Sequence, residues 1–241
     1  SGVCSSDLVE IGNSLEKGSA LDSLSGKVDA ILTNPPFGAR FDDDEVRFSC
    51  GDNTPFFSEL RRTIPSIDSE LLFVDRDLQL LKDGGRLLIV IPDGVVSAKG
   101  TAALLRQHLS GKATLKAVIE LPAVTFAQAG TRTKTAIIYL QKGRAKPPQA
   151  TFIAVATDLG FQVSSRKGVQ IKQTEGRNHL PAILDCYLQA KRSPAPPHGI
   201  VLSRNPSCVV IDEAEVLRSS WTPNHYSAER LDAISAVETR E

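Results

Sequence analysis

The sequence predicts an α/β fold in which parallel strands are joined through a helix and the sheet is finished by antiparallel strands. Three observations predict it. Residues 28–33 (Val-Asp-Ala-Ile-Leu-Thr) form an apolar, partly β-branched run suited to a buried parallel strand. Residues 66–83 then show helical spacing and reach a second apolar run at 86–91 through Gly84-Gly85, a β-loop-α-β order whose handedness sets the two strands parallel. Apolar runs at 115–121, 136–141 and 150–155 supply the remaining strands.

Taken in order, residues 1–8 carry little pattern, and the chain contains no methionine, position 1 included, as expected of a fragment or processed form. Residues 9–15 (Val-Glu-Ile-Gly-Asn-Ser-Leu) read as a short strand entering a polar turn, and 16–27 as a polar connection. After the run at 28–33, Asn34-Pro35-Pro36-Phe37-Gly38 stops the strand abruptly. Two prolines fix φ, remove two backbone donors and force Asn34 out of the helical region. The product is a rigid turn at the carboxyl end of a strand, where open α/β sheets place their ligands.

That turn gathers the Asn34 side chain, the Pro35 carbonyl and the Phe37 ring, and the cluster suits one chemistry. An exocyclic amine on a nucleobase is planar, conjugated and a poor nucleophile. Two acceptors, Asn34 oxygen and Pro35 carbonyl, can hold both of its N–H bonds, draw the nitrogen toward tetrahedral geometry and stabilise the positive charge that builds as it attacks a methyl group. Phe37 can stack on a flipped base. No general base of shifted pKa is needed, because the proton can leave after transfer. A proline-capped strand end with an incidental Asn is the plainer alternative.

Residues 39–65 form a long polar segment containing Asp42-Asp43-Asp44-Glu45, and a loop of this length suits a cover over the site. Contiguous carboxylates without spaced partners read as a solvated face, so no metal is expected. In the helix at 66–83, Ser66 or Asp68 caps the start, Leu71, Val74, Leu78 and Leu81 share a face, and Gly84-Gly85 ends it. The strand at 86–91 stops at Pro92-Asp93-Gly94, where Asp93 either lines the site or simply forms a turn. A helix is expected at 101–110, with His108 on its surface, before the strand at 115–121. The polar stretch 122–135 enters the strand at 136–141, and 150–155 returns as its adjacent antiparallel partner and the last strand. Beyond residue 160 the pattern weakens to a short strand near 168–174 and a helix over 180–191. Residues 193–197 (Ser-Pro-Ala-Pro-Pro) are a linker by composition, which divides the chain into 1–192, the linker, and a small appendage at 198–241.

Composition excludes several classes. No apolar run is long enough to span a bilayer and no signal pattern opens the chain, so no membrane partner is expected. Cys4, Cys50, Cys186 and Cys208 are far apart and lack metal-site spacing, as for free thiols in a reducing cytoplasm. Lys and Arg number 28 and so do Asp and Glu, a balance unlike that of a protein that grips DNA alone.

Thr33-Asn34-Pro35-Pro36-Phe37-Gly38 resembles the catalytic motif of S-adenosylmethionine-dependent N6-adenine DNA methyltransferases, most of all the modification (M) subunits of type I restriction–modification systems and their single-chain relatives. Three further stretches are similar to the corresponding family segments: Glu-Leu-Leu-Phe at 70–73, Leu-Lys-Asp-Gly-Gly-Arg at 81–86 and Ile-Val-Ile-Pro-Asp-Gly at 89–94. So is the run Phe126-x(4)-Thr131-x-Thr133-Lys134-Thr135, which in those subunits borders the target-base pocket. The resemblance implies a Rossmann-like methyltransferase sheet with S-adenosylmethionine as cofactor and double-stranded DNA as substrate. It implies catalytic roles for Asn34, Pro35, Pro36 and Phe37. Asn13 and Ser14, with Asn34, would face the cofactor, Asn13 standing where the family commonly has Asp; an ordinary polar loop is the alternative. Phe37, Phe126, Thr131, Thr133 and Lys134 would face the base or the DNA, although each threonine taken alone also fits a loop that bonds its own backbone. The family's glycine-rich cofactor loop does not occur in the chain, so its first strands are expected to be missing and the chain to be the carboxyl-terminal part of a larger enzyme. A specificity subunit or fused target-recognition domain, and a restriction subunit, are the implied partners. Trp221-Thr222-Pro223-Asn224-His225-Tyr226 faintly resembles the opening of a target-recognition region, and would pack a small core equally well. Two other readings stay open: an RNA-adenine or protein-glutamine methyltransferase, which shares the Asn-Pro-Pro-Phe core, and a catalytically silent assembly or specificity module.

Overall fold

The apolar runs become the strands of one seven-stranded sheet in a computed structural model, which describes residues 12–60, 65–127, 132–146, 149–164, 170–192 and 199–238. From β1 (Val28–Thr33) the chain passes through β2 (Arg40–Asp42), α1 (Asp43–Glu45), α2 (Pro55–Leu60), β3 (Ser66–Asp68) and α3 (Ser69–Leu80) into β4 (Leu81–Pro92). Helices α4 (Asp93–Ser97) and α5 (Thr101–Lys112) lead to β5 (Ala113–Leu121), and the chain turns back along β6 (Thr135–Lys142) before β7 (Ala150–Val155). A hairpin of β8 (Leu159–Ser164) and β9 (Gln170–Asn178) precedes α6 (His179–Arg192), β10 (Ile200–Arg204), β11 (Ser207–Asp212), α7 (Glu213–Arg218) and α8 (Ala228–Glu238).

The strand order is β1-β4-β6-β5-β7-β11-β10. β1 lies parallel to β4 and β5 parallel to β7, whereas β6 runs antiparallel between β4 and β5, and β11 antiparallel to β7. The crossover through α4 and α5 leaves a gap one strand wide, and β6 fills it. Thr135, the first residue of β6, thereby pairs with Pro92 on one side and Leu121 on the other. The connection between β5 and β6 is thus delivered to the carboxyl edge of the parallel strands.

Each face of the sheet has its own core. On one, α3 and α5 contribute Leu72, Val74, Leu105 and Leu109 over Leu87, Ile89, Val118 and Ile138. On the other, Ile183, Cys186 and Tyr187 of α6 pack over Phe152, Ala154, Cys208 and Val210. Strands buried on both faces read as continuous apolar runs.

Several expectations need correction. β7, expected as the antiparallel neighbour of β6, pairs in parallel with β5. Residues 198–241 were expected as a small appendage, yet β11 pairs with β7 over six residues and carries β10 with it into the main sheet. The reason lies in Cys208-Val209-Val210-Ile211, whose alternate side chains enter both cores, a demand only an inner strand meets. The linker at 193–197 lies outside the described residues. The helix expected from residue 66 starts at Ser69, because 66–68 pair with β2. Gly84 and Gly85 fall inside β4, where a Cβ on Gly85 would sit 2.8 Å from the Lys82 carbonyl and 3.0 Å from that of Val28. The segment 39–65, expected as a long loop over the site, is helical over 43–53 and 55–60 and packed down there, since Val46, Cys50 and Phe57 are fully buried. β1 is half exposed, with Leu32 at 78%, and pairs among the described residues only with β4.

Candidate active site

The Asn-Pro-Pro-Phe-Gly turn leaves the carboxyl end of β1 with Asn34 exposed, Pro35 buried and Phe37 half-buried. Gly38 takes φ +85°, a left-handed conformation that reverses the chain toward β2 and favours glycine. The first residues of α3 hold the turn from behind. Ser69 Oγ donates to the Pro36 carbonyl at 3.2 Å, Ser69 N to the Ala39 carbonyl at 2.8 Å, and Gly38 N to Glu70 Oε2 at 3.4 Å. Ser69 and Glu70 are both buried, so the helix side of these bonds is shielded from competing water.

Opposite the turn stands the β5–β6 connection. The Phe126 ring meets Phe37 edge-on, with centroids 5.8 Å apart and planes at 87°, a favoured aromatic geometry. Two residues 89 positions apart in the chain thus form one apolar wall. The connection is pinned at its far end, where Asp93 N donates to the Lys134 carbonyl at 2.8 Å. Asp93 opens α4, its Oδ2 accepts from Ser97 Oγ at 2.9 Å, and its Oδ1 is buried with no hydrogen-bond partner among the described residues.

The other expected site residues fall in different places. Thr133 is exposed beside Lys134, and Thr131 lies outside the described residues. The Lys134 ammonium ion-pairs with Glu120 at 2.7 Å. Asn13 closes a local turn, its Oδ1 accepting from Leu15 N at 3.1 Å. The Ser14 carbonyl accepts from Arg76 Nε at 3.1 Å, about two helical turns further along α3 than the residues that hold the Asn-Pro-Pro-Phe-Gly turn. Arg76 is fully buried and also reaches Asn53 Oδ1, Gln79 Oε1, Ser19 Oγ and Asp22, so one guanidinium ties residues 14–22 to the helix. Burial raises the Asp22 carboxyl, but hydrogen bonds from the Gly18 amide, the Arg76 guanidinium and Ser19 together hold it below its ordinary range.

Sequence reasoning missed Ser69, Glu70, Glu120 and Asn224. A signal existed for Glu120, because an ionisable residue inside Ala-Val-Ile-Glu-Leu must find a partner when the strand is buried. Nothing local distinguishes Ser69 or Asn224. Among the described residues no group of three or more His, Cys, Asp or Glu side chains is placed to hold a metal ion.

Comparison with known proteins adds a lineage to this geometry. The model of the N-6 DNA methylase family matches residues 4–222. The methylase subunit of the type I restriction enzyme EcoEI from Escherichia coli is 31% identical over 132 residues, 55% of this chain and 24% of that protein. The EcoKI methylase subunit from Escherichia coli K12 is 30% identical over 142 residues, 58% of this chain and 23% of that protein. The chain therefore spans about a quarter of the length of these relatives. Among solved structures, the methyltransferase subunit of a type I restriction–modification system from Streptococcus thermophilus superposes with a TM-score of 0.57 at 22% identity, covering 83% of this chain and 37% of that one. The sheet described above is that fold.

Proposed function

The chain belongs to the N-6 DNA methylase family, and from that premise we propose that it is the catalytic part of a DNA methyltransferase acting on adenine N6 within a type I restriction–modification system. The observation that carries the reading is the clamped turn: Asn34 is presented at the carboxyl end of β1 while Ser69 and Glu70 hold the backbone behind it.

When bound, S-adenosylmethionine supplies an electrophilic methyl group. A cationic ligand with amine donors suits an edge that keeps an unsatisfied carboxylate oxygen on Asp93, and Asn34, Asn13 and Ser14 are the residues that would hold it. In this reading the Asn34 side-chain oxygen and the Pro35 carbonyl accept the two N–H bonds of the adenine amine. They orient its lone pair and stabilise the charge that develops on nitrogen. Phe37 stacks on the extruded base, and Phe126, edge-on to Phe37, closes the apolar wall. Much of the acceleration comes from holding amine and methyl in line at contact distance. The proton leaves to water after transfer, so no side chain of shifted pKa is required.

Double-stranded DNA is the proposed substrate. Equal numbers of basic and acidic residues favour a specificity subunit, with or without a restriction subunit, as the main DNA-holding partner. No described helix is long and apolar enough to cross a membrane, and we place the enzyme with DNA in the cytoplasm.

Transfer of labelled methyl from S-adenosylmethionine to unmethylated DNA tests the reading, with RNA and protein acceptors run in parallel on the complete enzyme. Label recovered as N6-methyladenine in DNA, and lost in Asn34→Ala, is the expected result. Label confined to RNA or protein would replace the substrate class, and no label in any acceptor would leave a scaffold.

A further inference from the structure

Glu120 is 4% exposed within a strand of apolar neighbours, yet it is the meeting point of three distant segments. Its Oε1 takes the Lys134 ammonium at 2.7 Å and the Asn224 amide at 2.6 Å, and its Oε2 takes the same amide at 2.8 Å. A carboxylate removed from water needs its charge matched and its lone pairs filled, and an ammonium and an amide do both here.

The positions of the three residues give the cluster its meaning. Glu120 precedes the β5–β6 connection and Lys134 ends it, so their ion pair closes the base of the loop that carries Phe126. Lys134 is also bound through its carbonyl to Asp93 at the end of β4. Asn224 sits in the 3-10 turn Pro223–Tyr226, between Trp221 at 3% and Tyr226 at 2% exposure, so the amide is delivered by a turn with core anchors of its own.

We propose that Glu120 is a positioning residue for methyl transfer. Through Lys134 it clasps the two ends of the base-side loop, and through Asn224 it fastens that loop to residues 221–226, keeping Phe126 set against Phe37. The proposal rests on the methyltransferase reading above. It gives the Lys134 ammonium to Glu120 in place of a DNA phosphate, and it gives the Trp-Thr-Pro-Asn-His-Tyr segment a part in holding the base pocket.

The test uses the complete enzyme and two duplexes of one sequence, one with adenine at the target position and one with 2-aminopurine there, which has no N6 amine to methylate. Single-turnover methyl transfer is measured on the adenine duplex, base extrusion as fluorescence on the 2-aminopurine duplex, and the salt dependence of binding on both. Lys134→Met, which strands a buried carboxylate, should lower the single-turnover rate and the base-extrusion signal by about tenfold. The slope of log affinity against log salt should stay unchanged. Adding Glu120→Gln to Lys134→Met removes the stranded charge and should restore most of the rate. Asn224→Asp is nearly isosteric and sets a second carboxylate against the first, so it should slow transfer more than Asn224→Ala does. This ordering serves as a second readout should Lys134→Met fold poorly. A salt slope reduced by about one in Lys134→Met, with no rescue by Glu120→Gln, would make Lys134 a phosphate contact and overturn the proposal. Equal rates for Asn224→Asp, Asn224→Ala and the unaltered enzyme would overturn it as well. An unaltered enzyme that extrudes the base but transfers no methyl would instead overturn the reading on which the proposal rests.

Discussion

The two walls of the proposed base pocket are built in opposite ways. The turn at 34–38 is stiff because of its own covalent structure, and the helix behind it adds bonds to backbone carbonyls and one backbone amide. The β5–β6 connection has its described ends held by the ion pair of the half-exposed Lys134 with the buried Glu120 and by Asn224, 104 residues beyond Glu120. One wall is local and depends on the backbone; the other is assembled from distant side chains. Damage to the first should therefore act on chemistry, and damage to the second on the placement of the base.

The largest expected effect falls on the turn. Asn34→Ala should lower methyl-transfer turnover by about 10²-fold or more with DNA affinity unchanged, the scale of losing one preorganised electrostatic partner. Turnover near that of the unaltered enzyme would remove Asn34 from the reaction and with it the contrast between the walls.

Next comes pH, which separates the supports of the two walls. Burial pushes the carboxyls of Asp75 and Asp77 in α3 up to about 7 from 3.8, with the backbone amides of Phe57 and Phe56 partly offsetting it for Asp75 and Arg76 for Asp77. The folded state thus holds these protons more tightly than the unfolded chain does. Their stabilising contribution is complete below about pH 4 and declines as pH rises toward 7. Asp77→Asn should raise stability at pH 8 by on the order of 1–3 kcal/mol, with the gain fading toward pH 5. Chemical denaturation across pH reads this directly, and a gain independent of pH would show that Asp77 does not titrate in that window.

Smaller effects sharpen the comparison. Phe126→Ala removes an edge-on contact of roughly 0.5–1.5 kcal/mol beyond its buried area and should slow transfer about tenfold, with 2-aminopurine fluorescence falling in parallel. A loss of rate with full base extrusion would move Phe126 from the base wall to the chemistry. Ser69→Ala removes one hydrogen bond to the Pro36 carbonyl, about 1 kcal/mol, and should slow turnover several-fold while leaving extrusion intact.

Much of this architecture was legible in the sequence for the reason that separates the walls. Residues 28–38 and 86–94 announce themselves because proline, glycine and β-branched runs act over a few bonds. The pairing partners did not. The parallel seat of β7 beside β5 depends on β6 filling the gap between β4 and β5, which no short window of sequence displays. Residues 198–241 looked separate because a proline-rich composition precedes them, while their continuous apolar run at 208–211 already had the pattern of an inner strand. At the candidate site, the exposed Asn34 and the ring of Phe37 were readable from the turn, and Phe126, which meets Phe37, from its resemblance to a known segment. Ser69, Glu70 and Asn224 were not, since their roles exist only once distant elements are packed.

The insertion of β11 beside β7 has a consequence for how the protein is made. The ribosome delivers residues 207–212 more than fifty residues after β7, and until they arrive one side of β7 presents a row of unpaired amides and carbonyls. Nascent chains that stall before that point should be strong clients for holdase chaperones and prone to strand-mediated self-association. Chains released just past residue 212 should lose both traits together.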